Sequence, residues 1–174
     1  MTKFGGSALG IDGSSLPSVV ERIIQLKASS KIIAVFSAPI VKFGEKNLSL
    51  TDIALSKGRS YAALKLVDLE ILRQIYDDLS SKYLESDYKR EFMDLLSAFF
   101  REVTVSLKQA AETRRFVDVI RSRTLAYSGE IPMSYLMDYV MQSYGIRSDH
   151  VDIQRWPIIT DDNFEAANFM VGES

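Results

Sequence analysis

A short glycine-containing segment near the N-terminus, Lys3-Phe4-Gly5-Gly6-Ser7, carries the residue types that a phosphate group requires. Lys3 offers a cation, Gly5 and Gly6 allow the main chain to come close to an anion, and Ser7 adds a hydroxyl. If a strand ends at Phe4, this segment lies at a strand's carboxyl end, where open α/β sheets bind ligands. It is not a P-loop, because the chain has no Gly-x-x-x-x-Gly-Lys-Ser/Thr pattern. An ordinary Gly-Gly turn beside a surface lysine is the competing interpretation.

Three further polar residues stand at the ends of predicted elements. Ser37 follows a buried apolar run, Thr51 lies in the capping-box pattern Ser49-Leu50-Thr51-Asp52, and Glu130 opens a helix after a glycine. Each has a structural alternative: Ser37 could cap a backbone group, Thr51 could only start a helix, and Glu130 could only complement a helix dipole. Ser134, Asp161 and Asp162 are weaker candidates, because small residues and turn-forming aspartates are common.

The elements that would position these residues begin with a strand, a helix and a second strand. Residues 2–4 read as a strand, residues 14–30 as a helix with Pro17 in its first turn, and residues 31–36 (KIIAVF) as a buried strand. Strand, helix and strand within the first forty residues predict a parallel βαβ unit. Residues 37–47 read as an irregular loop that contains Pro39 and Gly44.

The middle of the chain is predicted to be helical. Apolar residues recur at helical spacing from Leu64 to Leu79 and again from Phe92 to Leu107, with a break near Ser86-Asp87. A helix is predicted over 116–127 and another from Pro132 to a stop at Gly145. Residues 151–156 and 158–159 could be short strands. The apolar stripes are most simply core faces that pack helix on helix.

Composition restricts the possible classes of protein. The chain has 174 residues, 47% of them hydrophobic and 25% charged, which suits one globular domain. Its net charge of −2 gives no broad attraction for nucleic acid or for an anionic membrane, and no apolar run is long enough to span a bilayer. With no cysteine and one histidine, His150, thiolate chemistry and histidine-rich metal sites are excluded, and we expect no protein-held metal. We expect a cytoplasmic protein, with His150 exposed.

The order of these motifs resembles the N-terminal half of aspartokinases, in the amino acid kinase family. The resemblance runs from about residue 2 to residue 167 and rests on the following segments in order: Lys3-Phe4-Gly5-Gly6-Ser7, Val35-Phe36-Ser37-Ala38, Thr51-Asp52, Ser128-Gly129-Glu130 with Ser134, and Ile159-Thr160-Asp161-Asp162. It implies a three-layer αβα fold with a mostly parallel central sheet, incomplete here, and a helix-rich middle section. It also implies transfer of the γ-phosphoryl group of ATP, with Mg²⁺, to the side-chain carboxylate of L-aspartate, the first step of lysine, threonine and methionine biosynthesis.

The same resemblance implies roles for individual residues. Lys3 would contact the transferring phosphate as the catalytic cation, and Gly5, Gly6 and Ser7 would complete the phosphate or nucleotide site. Ser37 and Ala38 would bind the substrate, Ser37 and Thr51 would donate hydroxyl protons to its carboxylate, and Glu130 would pair with its ammonium group. Phosphoryl transfer suits such a site, because positioning and charge neutralisation supply most of the rate.

The chain also departs from the aspartokinase pattern. The family's Gly-Arg-Gly-Gly-Ser-Asp and Thr-Asp-Val-Asp-Gly segments are absent, and the stretch between Ala38 and Thr51 is longer than usual. We therefore expect residues 1–174 to form a single partial domain, the amino-acid-substrate portion, with little or no kinase activity alone. The alternatives are a non-catalytic binding module, one half of a split kinase, or a kinase for another carboxylate or carbamate. An exposed strand edge should promote homo-oligomers or association with a missing C-terminal portion.

Overall fold

The first two strands form a parallel pair in the computed structural model, which describes residues 1–65, 68–152, 159–161, 163, 168 and 170. Strand β1 (Thr2–Phe4) pairs with β2 (Ala34–Phe36), and Phe4 lies opposite Phe36 with the ring centroids 5.6 Å apart. Helices α1 (Gly6–Leu9) and α2 (Leu16–Lys27) connect the two strands. The predicted parallel βαβ unit is confirmed, although the second strand is shorter than the predicted 31–36.

Helix α2 forms where the apolar spacing predicts it. Pro17 stands in its first turn, where the missing N–H is no loss, and one face is buried against the sheet and core. The buried residues of this face are Leu16, Val19, Val20 and Ile23. This spacing of three and four residues places them on one side of the helix, and their burial anchors the crossover between β1 and β2.

The segment after β2 is a β-hairpin, so the prediction of an irregular loop over 37–47 is wrong. Strands β3 (Ile40–Phe43) and β4 (Lys46–Ser49) pair antiparallel, with Phe43 opposite Lys46 across a two-residue turn. Gly44 takes a φ of 63° at the first turn position, a conformation that glycine adopts without a steric penalty. Pro39 precedes the hairpin, outside the hydrogen-bonded ladder.

Five helices complete the described fold where the apolar spacing predicts them, except that Leu64 lies in a turn with a φ of 56° and the predicted helix from Leu64 begins only at Glu70. They are α3 (Leu50–Ala62), α4 (Glu70–Tyr83), α5 (Ser86–Thr113), α6 (Asp118–Ser128) and α7 (Glu130–Ser143). The predicted break near residues 86–87 is confirmed, and Gly145 adopts a φ of 71° just beyond α7, as expected of a C-terminal stop. Helix α3 packs against α5 and α6, while α7 contacts β2, α4 and α5.

The described residues form a helix-rich α/β fold around one core. They contain two separate two-stranded sheets, one parallel and one antiparallel, so the expected three-layer arrangement around a mostly parallel central sheet is not reproduced. Phe4 and Phe36 from the parallel sheet join buried residues of α2, α5 and α7 in that core. No helix within the described ranges is long and apolar enough to cross a membrane. Of the predicted C-terminal strands, residues 153–158 lie outside the described residues, and Ile159 is not in a strand.

Candidate functional site

The site begins where β1 and β2 end side by side. The backbone N–H of Ser37 donates to the carbonyl oxygen of Phe4 at 3.0 Å, which places Gly5 next to Ser37 at the carboxyl ends of both strands. One residue further along, the segments that follow β1 and β2 come into close contact: a Cβ added at Gly6 would lie 2.7 Å from the carbonyl oxygen of Ala38. Only glycine permits this approach, so Gly6 serves packing of the two loops.

Gly5 has a different environment from that of Gly6. It adopts φ −70° and ψ 166°, an extended conformation open to any residue, and a Cβ there would meet no atom within 4 Å. The space beside Gly5 is therefore open, and the exposed side chains of Lys3 and Ser7 flank it. Open space beside the main chain is one requirement of the anion site that the sequence predicts.

The β3–β4 hairpin brings the chain back to the ends of β1 and β2, although the stretch between Ala38 and Thr51 is long. Its first strand is held by Asp12, whose backbone N–H donates to the Ile40 carbonyl at 2.9 Å and whose carboxylate accepts from the Lys42 N–H at 3.0 Å. After β4, the N–H of Leu50 donates to the carbonyl of Pro39 at 3.0 Å. Thr51 is thereby brought beside the Ala38 loop.

The N-cap predicted for α3 is present, and its hydrogen-bond network includes the candidate residue Thr51. Ser49 is the N-cap, and its Oγ accepts a hydrogen bond from the backbone N–H of Asp52 at 3.1 Å. The same Oγ lies 2.5 Å from Oγ1 of Thr51 and 3.0 Å from Oδ2 of Asp52. The Thr51 hydroxyl is thus fixed by a side-chain network instead of being free to rotate.

The junction between α6 and α7 closes the site from the opposite side. A Cβ added at Gly129 would lie 3.1 Å from Cβ of Ala38 and 3.3 Å from Cγ2 of Thr51. The Gly129 carbonyl accepts from the N–H of Met133 at 3.1 Å and from the Tyr76 hydroxyl at 2.6 Å. Because Tyr76 is fully buried on α4, this bond fixes the point at which α7, and with it Glu130, begins.

Electrostatics place Glu130 near both Tyr76 and Lys3. Desolvation at the packed junction raises the pKa of the Glu130 carboxyl, although Glu130 retains exposed surface; its own backbone N–H and the Lys3 charge lower the pKa by less. Burial raises the pKa of Tyr76 well above its usual value, and the Glu130 charge adds to this effect. The Lys3 ammonium group on β1 is thus close enough to the start of α7 for its charge to act on the Glu130 carboxylate.

A large, mostly apolar cavity of about 1000 Å³ has Glu130 in its lining. It is lined by β2, α5, α7 and the segment after α7, and Ser134, one turn beyond Glu130, faces it. Ile33, just before β2, lines the cavity with 55% of its surface exposed. Glu130 therefore belongs both to the candidate site and to the cavity lining, whereas Lys3, Gly5 and Ser37 do not line the cavity.

The described residues do not fit a protein-held metal. No cluster of three or more His, Asp or Glu side chains that could hold an ion occurs among them. The carboxylate of Asp161 instead accepts from the N–H and the side-chain amide of Asn168, and these bonds lower the pKa of Asp161. Asp161 thus has the geometry of a turn residue, while Asp162 lies outside the described residues.

The structure therefore brings most of the predicted site residues together. Those that lie together at one end of the parallel sheet are Gly5, Gly6, Ser37, Ala38 and Thr51. Glu130 follows Gly129, which packs on Ala38 and Thr51, and the Lys3 charge lowers the pKa of Glu130. Ser7 lies exposed on α1 at the edge of this group, and Ser134 faces the cavity instead.

The prediction that His150 is exposed is wrong. Its ring stacks on Tyr135 with a centroid separation of 3.6 Å, and it is half-buried at the cavity. Desolvation lowers the pKa of His150, while the charges of Asp138, Asp152 and Asp149 raise it by less. The apolar face of Tyr135 on α7 explains the burial, because residues 146–150 fold back along that helix.

Sequence reasoning missed two residues that organise the site. Tyr76 falls within a regular apolar stripe, where a tyrosine is indistinguishable from any core residue, and its partner Gly129 lies 53 positions away. Asp12 precedes Gly13 in what reads as a plain turn. The Ser49 cap did carry a recognisable local signal, but its contact with Thr51 did not.

No family model matches this chain, and no curated protein matches it. The solved structures include a similar one: the crystal structure of E. coli aspartokinase III in complex with lysine and aspartate, in the T-state. It superposes with a TM-score of 0.63 at 15% sequence identity and covers 99% of this chain. The chain spans 35% of the length of that aspartokinase. At this identity the likeness concerns the fold, and this chain has an aspartokinase-like fold.

Proposed function

We propose that this chain provides the L-aspartate-binding part of an aspartate kinase. The observation that carries the proposal is the open space at Gly5 beside the carboxyl ends of β1 and β2, where Gly129, the residue before Glu130, packs on Ala38. The action of the Lys3 charge on Glu130 supports it. A ligand at this place would find a cation and backbone groups on one side and a carboxylate on the other. The aspartokinase-like fold supports the same substrate class, since the matching crystal structure contains aspartate.

In the proposed reaction, a side-chain carboxylate oxygen of aspartate attacks the γ-phosphorus of ATP, the bond to the bridging oxygen breaks, and ADP leaves. Lys3 and backbone N–H groups at Gly5 and Gly6 would neutralise charge on the phosphoryl oxygens. Ser37, at the end of β2, would donate its hydroxyl proton to the substrate carboxylate. Glu130 would accept from the substrate ammonium group, because an ionised carboxylate has only acceptors to offer.

Magnesium, when bound with ATP, would neutralise phosphate charge. The described residues offer no carboxylate cluster to hold it. This chain's own contribution in the proposal is therefore binding and orientation of the amino acid. Since the chain spans about a third of aspartokinase III, we propose that phosphoryl transfer needs further protein and that the 174 residues alone turn over slowly or not at all.

Titration of L-aspartate by calorimetry, in wild type and in Glu130→Gln, tests the binding role. We expect the variant to bind about tenfold or more weakly, because a charge-assisted hydrogen bond contributes about 1.5–3 kcal/mol. Glu21→Gln, on the exposed side of α2, makes the same charge change and should leave affinity unaltered. Equal affinity in wild type and Glu130→Gln would remove Glu130 from the site.

The second candidate is a non-catalytic amino-acid-binding module, which is favoured by the absence of a metal-ligating cluster among the described residues. A coupled assay for ADP release with L-aspartate distinguishes the two, on the chain alone and on any longer product of the same gene. Activity only in the longer protein supports the kinase. Aspartate binding without ADP release by either supports the module. Turnover of about 1–100 s⁻¹ by the 174 residues alone would contradict the need for further protein.

A further inference from the structure

The N-cap of α3 determines the direction in which Thr51 can use its hydroxyl. Three polar atoms surround Ser49 Oγ: the backbone nitrogen of Asp52 at 3.1 Å, Oδ2 of Asp52 at 3.0 Å and Oγ1 of Thr51 at 2.5 Å. All three distances are within hydrogen-bonding range. A serine hydroxyl has one proton and two lone pairs, so three such neighbours saturate it.

The position of each proton follows from what the neighbours can supply. The N–H of Asp52 must donate, so it occupies one lone pair of Ser49. An ionised carboxylate carries no proton, so the contact with Asp52 Oδ2 requires the Ser49 proton. The remaining lone pair of Ser49 then accepts from Thr51, whose only proton is committed to Ser49. The opposite arrangement would leave Ser49 and Asp52 oxygens 3.0 Å apart with no proton between them.

We propose that Asp52, acting through Ser49, makes Thr51 a hydrogen-bond acceptor toward the site, so that Thr51 binds the ammonium group of the amino acid. This inference rests on the proposed function and changes the expected role of Thr51, which was donation to a carboxylate. The methyl group of Thr51, Cγ2, lies 3.3 Å from the Cβ position of Gly129, so Thr51 stands beside the residue that precedes Glu130. Thr51 and Glu130 then form one acceptor wall, and Asp52 is a positioning residue.

Ligand pairs that differ by one group test this assignment. L-Aspartate and succinate share two carboxylates, and only aspartate has an ammonium group. We expect Thr51→Val to weaken L-aspartate binding about tenfold and to leave succinate binding unchanged. Thr51→Ser keeps the hydroxyl and serves as the matched control. It should bind L-aspartate almost as tightly as the wild type does. An equal loss for both ligands would show that Thr51 donates to a carboxylate and would overturn the proposal.

Asp52→Asn provides a second, independent variant. An asparagine amide can donate to Ser49, which frees the Ser49 proton for Thr51 and turns the Thr51 proton toward the site. We expect the preference for L-aspartate over succinate to fall in this variant, because an acceptor is replaced by a donor. A merely structural role of Asp52 would weaken both ligands together, and that result would contradict the proposal.

A measurement without ligand separates this inference from the proposed function. Neutron diffraction from crystals of the deuterated protein locates the hydroxyl deuterons directly. We expect the Thr51 deuteron on the line to Ser49 Oγ and the Ser49 deuteron on the line to Asp52. If the Ser49 deuteron points to Thr51, the inference fails whatever binds. If the expected positions are found but neither ligand binds, the proposed function fails and the hydroxyl direction stands.

Discussion

The two sides of the α6–α7 junction differ in how they are built. On the side of the strand ends, small residues pack closely around an open space beside Gly5: Gly6 meets Ala38, and Gly129 meets Ala38 and Thr51. On the other side, β2, α5 and α7 surround an apolar cavity of about 1000 Å³. The first side holds small residues in fixed positions, as a small polar ligand requires, while the second is a concave and mostly apolar pocket.

The largest effect that separates the two sides is expected from Gly6→Ala. The added Cβ would lie 2.7 Å from a backbone oxygen of Ala38, so main chain has to move, and we expect a loss of about 1–3 kcal/mol in the free energy of unfolding. Gly5→Ala is the matched control, because its Cβ would meet nothing within 4 Å. Urea unfolding measures both, and equal losses would show that the two loops do not touch.

A smaller effect is expected from Tyr76→Phe, which removes the hydroxyl from the Gly129 carbonyl. The carbonyl keeps its bond from Met133, so we expect a loss of only about 1 kcal/mol of unfolding free energy, together with weaker L-aspartate binding. Tyr83→Phe is the control, because the Tyr83 hydroxyl also donates at 2.6 Å to a backbone carbonyl, that of Gly13. Tyr83→Phe should lose a similar unfolding free energy and keep its affinity for L-aspartate. An equal loss of L-aspartate affinity in Tyr76→Phe and Tyr83→Phe would contradict a special role for Tyr76.

On the cavity side, Ile33→Lys should change association and leave folding almost unaffected. Ile33 is 55% exposed, so we expect its replacement to alter the free energy of unfolding by no more than about 0.5 kcal/mol. We propose that the 174-residue chain associates with a second copy through this apolar side, beside β2, and that the lysine weakens the contact. Light scattering at tens of micromolar checks this, and a monomeric wild type would contradict it.

The smallest expected effect is the contribution of Glu130 to pH dependence. Its folded-state pKa is raised above the usual 4.5, mainly by desolvation. The unfolded state therefore releases this proton first, and stability falls as pH rises from the usual value through the raised one. Glu130→Gln should remove this fall. At pH values above the raised pKa, the free energy of unfolding of the variant should therefore increase relative to that of the wild type. Parallel stability curves for the two proteins would contradict a raised pKa.

Local signals made much of the fold predictable. The β-branched run before Ser37 indicated β2, the spacing of apolar residues indicated the helices, and the capping box at Ser49 indicated the start of α3. The hairpin was not predicted, because Pro39 and Gly44 suggested an irregular loop. Gly44 in fact opens the two-residue turn between β3 and β4. The length of the insertion between Ala38 and Thr51 also concealed that its two ends meet.

The candidate site was predictable as a set of residues but not as a geometry. Types and order singled out Lys3, Ser37 and Glu130, since chemistry at strand and helix ends has a sequence pattern. The contacts that bring them together join residues far apart in the sequence, and such contacts leave no sequence pattern. The Tyr76 hydroxyl binds the Gly129 carbonyl 53 positions away, and Gly129 packs on Ala38. Burial of His150 against Tyr135 was unpredictable for the same reason.

The most direct test of the account is the pKa of Glu130 with and without the Lys3 charge, measured by carboxyl carbon NMR. In the proposed site the Lys3 and Glu130 side chains lie close together, and the Lys3 charge lowers the pKa of Glu130. Lys3→Met should therefore raise the Glu130 pKa further, while Lys46→Met, on the exposed hairpin, should leave it unaltered. An identical Glu130 pKa in wild type and Lys3→Met would contradict the single site.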